Sequence, residues 1–207
     1  GVEAESLMGR GARSSRRQIL EAFGVLGANL LLPLQAQALD FRLEKLEQGS
    51  VQVPALWKSD GPADSKFFLD PVSGAVLKSL SLLSSPAPPG KSGTIKDLGK
   101  IEKVNLVKTL GIRPELAKAD LVSAAVRIGG GSDDTIYYDF DLALAPKTCS
   151  KGSEILAGTC PYDEVVLLSA GVSGGKVQTL VVTANFDQWK KNGPAIRQLR
   201  DSFNVQE

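Results

Sequence analysis

Thr135-Ile136-Tyr137-Tyr138-Asp139-Phe140-Asp141-Leu142-Ala143-Leu144 decides the fold. Ile136, Tyr138, Phe140, Leu142 and Leu144 alternate with Tyr137, Asp139 and Asp141, and a period of two belongs to a strand rather than a helix. The pattern predicts one buried face and an opposite face, bearing the carboxylates, that is at least partly wet. Upstream, Leu121 to Ile128 is rich in Val, Ile and Ala and reads as a neighbouring strand. Gly129-Gly130-Gly131-Ser132-Asp133-Asp134 between them is a reversal. Its glycines do not form a dinucleotide cradle, because a strand and not a helix follows. Downstream, Val165–Val172 and Val177–Ala184 flank Ser173-Gly174-Gly175-Lys176, a hairpin with glycines where positive φ is needed.

The first half carries weaker signals of the same kind. Val51 and Val53 share one face of a short strand that Pro54 ends. Lys66 to Leu69 and Ala75 to Leu83 form a predicted hairpin across Asp70-Pro71-Val72-Ser73-Gly74. The loop Ser84 to Gly93 is too rich in proline and glycine to be regular. Its Gly90-Lys91-Ser92 fails as a phosphate-binding loop, since Ser85 stands where the first glycine is required. Ile101, Val104, Val107 and Leu110 predict an amphipathic helix that Gly111 caps. Phe186, Trp189, Ile196, Leu199 and Phe203 are spaced for one face of a final helix, with Asn185 or Asp187 as its cap. Proline inside a helix costs about 3 kcal/mol, so a break is expected with Pro194 opening the last segment. The sum is an α+β domain, an antiparallel sheet with helices packed on it.

Ahead of this domain lies an address. Ser14-Ser15-Arg16-Arg17-Gln18-Ile19-Leu20 leads into a weakly apolar run and then Ala36-Gln37-Ala38. A charged front, an apolar centre and small residues at the cut site make an export signal. The Arg16-Arg17 pair resembles the twin-arginine type, which a receptor reads. Glu21, Asn29 and Pro33 interrupt the run, and a membrane span wants about 20 mostly apolar residues. Residues 1–38 are therefore expected to be a cleaved targeting region and residues 39–207 one soluble domain. The alternative is an amphipathic N-terminal helix of the domain itself. Starting at Gly1 rather than Met, the chain reads as a fragment, in which residues 1–13 would be the remnant of an organelle transit peptide.

Charge and composition narrow the function classes. The chain has 24 Lys and Arg against 23 Asp and Glu, and removing residues 1–38 leaves 20 of each. A formally neutral domain has no excess with which to displace counterions from nucleic acid. There is no histidine, which removes the commonest general base, nucleophile activator and transition-metal ligand, so no enzyme is expected. Cys149 and Cys160 enclose ten residues. In an exported protein they read as a disulfide, with two unpaired thiols or a redox switch as the rival readings. Asp139 and Asp141, with Asp133 and Asp134 close by, offer hard oxygen ligands to a cation such as calcium, though calcium takes six to eight. The bland reading of the pair is a solvated strand face. Trp57 and Trp189 read as core residues, the sharper alternative being an exposed anchor. Lys190, Lys191, Arg197 and Arg200 give the last helix a basic side, suited either to solubility or, with Trp189, to an acidic partner surface.

The order of these pieces resembles the PsbP family. Val51-Gln52-Val53-Pro54 with Trp57-Lys58, then Phe68-Leu69-Asp70-Pro71 with Gly74, then a helix after a Pro/Gly loop, are similar to the first half of a PsbP domain. Tyr137-Tyr138-Asp139-Phe140, Gly174-Gly175-Lys176-Val177, Trp189-Lys190-Lys191 and Asp201-Ser202-Phe203-Asn204-Val205 are similar to the second. The likeness runs from about Phe41 to Val205. It implies an α/β/α sandwich with a central antiparallel sheet, in the chloroplast thylakoid lumen of a plant or alga. It further implies a protein that is a monomer when free and attaches peripherally to a photosynthetic complex. In the family's founding member that complex is photosystem II, where the subunit helps retain calcium and chloride for water oxidation. Relatives assist assembly of photosystems or of a chloroplast dehydrogenase complex. A short arm between Ala38 and the first predicted strand, the missing histidines and the extra Cys149 to Cys160 segment favour a paralogue over the photosystem II subunit. The alternative function is a lumenal carrier of a small ligand or a calcium ion.

Overall fold

A computed structural model describes residues 40–60, 65–70, 74–89, 92–110, 118–129, 135–146, 148–149 and 160–206. The alternating stretch quoted above is strand β8, Ile136–Ala145, in the middle of the right half of a long sheet. Its neighbours are β7, Lys118–Ile128, and β9, Glu164–Ser173. Strand β10, Lys176–Asn185, returns from β9 through Gly174 and Gly175, whose φ values of 57° and 72° are the ones a two-residue hairpin turn requires. Beyond β10 come β6, Ser79–Pro86, then β4, Ser65–Asp70, then β3, Lys58–Asp60, with the two-residue β5, Gly74–Ala75, also against β4. Every pairing in this sheet is antiparallel. A second sheet joins β1, Phe41–Leu46, to β2, Gly49–Pro54, and β2 to β11, Asn204–Val205.

Each face of the long sheet carries its own core. On one face Leu167, Leu180 and Val182 meet Val51 and Val53 of β2 and Ile196 and Leu199 of helix α2, Phe186–Asp201. On the other, Tyr138, Phe140, Leu142 and Leu144 of β8 meet Leu168, Ile95 and Leu110. Burying a side chain of this size contributes roughly 1.5–3 kcal/mol. Residues 38–207 form one compact unit in which the central sheet lies between α2 with the small sheet and the segment 95–110. That is an α+β fold with a central antiparallel sheet, as the strand pattern predicts.

Two local expectations are corrected. The amphipathic helix through Ile101, Val104, Val107 and Leu110 is instead two 3-10 turns, Ile95–Leu98 and Ile101–Lys103, followed by the short helix α1, Leu106–Leu110. A three-residue step is the period of a 3-10 turn, and Asn105 restarts the chain by accepting the Lys108 N–H at 2.9 Å on its side chain. The Gly111 cap lies outside the described residues. Strands β1 and β3 carried no sequence expectation, and β1 is an edge strand whose Leu43 faces solvent. The break at Pro194 does not occur, for α2 runs through it. The helix is fixed at its start by a reciprocal cap between Asn185 and Gln188, and downstream by Ile196 and Leu199, both wholly buried. Those anchors outweigh the lost hydrogen bond at an exposed proline.

Pro194→Ala should therefore stabilise the protein by about 1–3 kcal/mol, the range of the penalty it removes. Thermal unfolding reads this as a rise of several degrees, and an unchanged or lowered midpoint would mean that the helix has already absorbed the proline without cost.

Candidate functional site

The carboxylate-bearing face of β8 is not wet. Tyr137 is fully buried, and Asp139 and Asp141 are each only 4% exposed, because α2 and the C-terminal tail cover them. Two charges so placed need opposite charges. Arg127 on β7 donates through Nε to Asp139 Oδ2 at 2.9 Å. Its Nη2 donates to Ser169 Oγ at 2.9 Å and to the Phe203 carbonyl at 3.3 Å, while its guanidinium lies 4.2 Å from the Tyr137 ring centre. Asp141 is met from α2, by Arg197 at 3.2 Å on Oδ2 and by Arg200 at 3.1 Å on Oδ1. The Arg200 contact is an ion pair by distance without hydrogen-bond alignment, and the same Nη1 also donates to the Leu168 carbonyl at 3.3 Å. Arg197 and Arg200 are one helical turn apart, so both reach the same carboxylate.

The proposed cation ligands Asp139 and Asp141 thus fail as a calcium site. Three guanidinium groups occupy the space around them, and a cation there would stand among positive charges. The described residues hold no cluster of three or more acidic, histidine or cysteine side chains, short of the six to eight oxygens calcium takes. Asp133 and Asp134 lie outside the described residues. Arg127 and Ser169 were not singled out from sequence, and Asn204 entered only as part of the C-terminal signature. A single arginine in the otherwise small and apolar run Leu121–Ile128 is the signal that could have found the first.

Tyr137 closes the network. Its hydroxyl donates to Asn204 Oδ1 at 2.8 Å and accepts from the Val205 N–H at 3.1 Å, and its ring meets Phe203 edge-on at 6.0 Å. A Cβ on Gly171 would stand 2.8 Å from that ring, so only glycine lets the tyrosine lie flat on β9. Burial pushes the Tyr137 hydroxyl above its ordinary pKa of 10.0, against the opposing pull of the Val205 N–H and Arg127.

The remaining sequence candidates lie elsewhere. Cys149 and Cys160 are bonded to each other, with Cα atoms 5.1 Å apart, across the connection between β8 and β9. Arg16, Arg17, Ala36 and Ala38 lie outside the described residues. On α2, Trp189 is half-buried against the core with Arg197 stacked 4.9 Å over its ring, while Lys190 sits 4.4 Å over the exposed Phe186 and Lys191 faces solvent. Trp57 is core, tilted against Phe68. Structure therefore brings Phe186, Lys190, Lys191, Trp189 and Arg197 together on one helix and puts Asp139 and Asp141 beneath it.

Arg127→Met leaves Asp139 buried without its partner and should cost about 3–5 kcal/mol. Adding Asp139→Leu should recover more than half of that in urea unfolding, and a double variant no better than Arg127→Met would show that the charge is not the source of the loss. The pH response follows from Tyr137. A raised folded-state pKa means that its contribution is complete below pH 10 and is lost as pH rises from there toward the folded-state value. Tyr137→Phe should flatten the decline above pH 10 by up to about one proton in the linkage slope, and an unchanged slope would reject the assignment.

The family model described as PsbP matches residues 40–205. Among solved structures, the chain is similar to cyanobacterial PsbP from Synechocystis sp. PCC 6803, with a TM-score of 0.53 and 17% identity over 89% of this chain and 99% of that one. A Pseudomonas aeruginosa protein of unknown function follows at a TM-score of 0.41 and 12% identity, over 81% of this chain and 98% of that one. A Bacteroides thetaiotaomicron structure stands at 0.38 and 13%, over 77% and 46%. No curated protein matches the chain. The family match spans all the described strands and both helices, and with it the chain belongs to the PsbP family, as a photosynthesis-related protein of PsbP type.

Proposed function

We propose that the chain is a non-catalytic extrinsic protein of the chloroplast thylakoid lumen that docks on a photosynthetic membrane complex, supporting the assembly or stability of photosystem II or another photosystem. The observation that carries this reading is the outer surface of α2. Phe186 is 43% exposed beneath Lys190, Lys191 is exposed beside it, and Arg197 lies on Trp189. Exposed aromatic carbon under fixed cations is a surface for a partner that is acidic at its rim and apolar at its centre. Electrostatic steering would bring such partners together quickly and leave the contact sensitive to salt. A catalytic role finds no support in the buried charges, because Asp139 and Asp141 are held by arginines as structural pairs. The same neutralisation argues against carriage of calcium at these residues.

Incubating the protein with thylakoid membranes, washing at rising salt and separating the solubilised complexes on a native gel tests the proposal. Co-migration with a photosystem complex that salt abolishes is expected, and Lys190→Glu with Lys191→Glu should reduce the bound fraction severalfold. A protein that stays free at low salt, or a double variant retained like the parent, would overturn docking through α2.

A further inference from the structure

The opposite face of the sheet holds an open cleft of about 540 Å³ between the end of β6 and the segment 97–109. Pro86, Pro88, Leu98 and Val104 line it with carbon, and Lys103 and Lys108 supply charge. Several other polar groups of the lining are bonded within the protein. Asp97 accepts from Ser92 Oγ at 2.7 Å and from the Gly93 N–H at 2.9 Å. Asn105 accepts the Lys108 N–H, and Ser85 Oγ donates to the Thr109 carbonyl at 3.3 Å, tying one wall to the other. These bonds hold the Asp97 carboxyl below its usual range, the Ser92 hydroxyl contributing most. Among the described residues no ion pair engages Lys103 or Lys108, nor the exposed Lys96 and Lys100 on the same segment. The cleft is thus apolar on its walls, and its segment carries Lys96, Lys100, Lys103 and Lys108 against the carboxylates of Asp97 and Glu102, a net excess of positive charge.

We propose that this cleft binds an extended acidic peptide segment of a partner protein, one in which carboxylates alternate with apolar side chains. Alternation suits a lining that offers both carbon walls and lysines, because an extended chain presents its side chains to opposite directions in turn. The volume falls in the range of ligand sites, about 300–1,000 Å³. Its open shape suits a segment of chain, which brings its own backbone to cover the groove. Lysine serves here as a mobile point charge on a flexible stem and selects for sign, while the prolines set a stiff wall. The surface is independent of α2 and of the docking reading above, since the sheet separates the two.

Fluorescence anisotropy of the full chain with a labelled peptide of alternating Glu and Leu tests this without membranes. At low ionic strength the parent should bind that peptide and ignore a Lys-Leu counterpart. Lys103→Glu with Lys108→Glu should weaken binding at least tenfold, while Lys190→Glu with Lys191→Glu should change it less than twofold. All four lysines are exposed, so circular dichroism and the unfolding midpoint should match the parent's. No binding by the parent, equal binding of the two peptides, or equal loss in both double variants would overturn the proposal. Its failure would leave the membrane assay untouched, and failure of the membrane assay would leave the cleft standing.

Discussion

Two buried carboxylates under a helix set the geometry of this protein. Asp139 and Asp141 project from β8 into the layer where α2 packs, and neither can remain there charged without a cation at hand. Arg127 answers the first from the next strand, and Arg197 and Arg200 answer the second from the helix. Such pairs add little net stability, since desolvation offsets most of the attraction. What they restrict is the setting of the helix. Rotating α2 by one residue would carry the arginines away from Asp141 while Ile196 and Leu199 left their places over β9 and β10. Apolar and ionic contacts therefore demand the same rotation, and agreement between levels is what makes a packing arrangement unique.

The same layer explains how the chain ends. Arg127 reaches the Phe203 carbonyl and Tyr137 holds Asn204 and Val205, so the tail is drawn across the sheet and pairs with β2. Ser202 Oγ accepts the Gln52 N–H at 2.7 Å from the same direction. Gly49 leaves room for this approach, for a Cβ there would fall 2.8 Å from the Phe203 ring. A family signature that reads as Asp201-Ser202-Phe203-Asn204-Val205 in sequence is in this light a clasp between the C-terminus and the small sheet.

How legible this was in the sequence depends on range. Strand β8 could be read because its side chains alternate within a few residues, and β9 and β10 because two apolar, valine-rich runs flank a pair of glycines suited to a positive-φ hairpin turn. The α+β class followed. The burial of Asp139 and Asp141 could not be read, since it depends on arginines 12 and 56 residues away meeting them in space. A local pattern that ranks aspartate as polar assigns it to water, and tertiary pairing reverses the assignment. Pro194 is a second case of the same kind: its cost is local and visible, while the anchors that meet it are distant and are not. The segment 95–110 failed differently. Steps of three residues fit both a helix and a 3-10 turn, and Asn105 resolves the ambiguity by restarting the chain.

Charge shows why totals mislead about partners. The chain carries a net charge of only +1, which counts against any binding that depends on neutralising a long run of phosphates. Fields at a surface are local, however, since salt screens exposed charges beyond about 10 Å at 0.1 M. Within that radius a partner at one face senses Lys190 and Lys191 against Asp187, and at the other Lys96, Lys100, Lys103 and Lys108 against Asp97 and Glu102, local excesses of positive charge that the total does not report. Asp139 and Asp141 are met inside the fold by Arg127, Arg197 and Arg200, so these pairs contribute little to the field at either surface. Folding thus withdraws charges of both signs and gathers exposed lysines, so that a nearly neutral sequence can present two locally cationic surfaces.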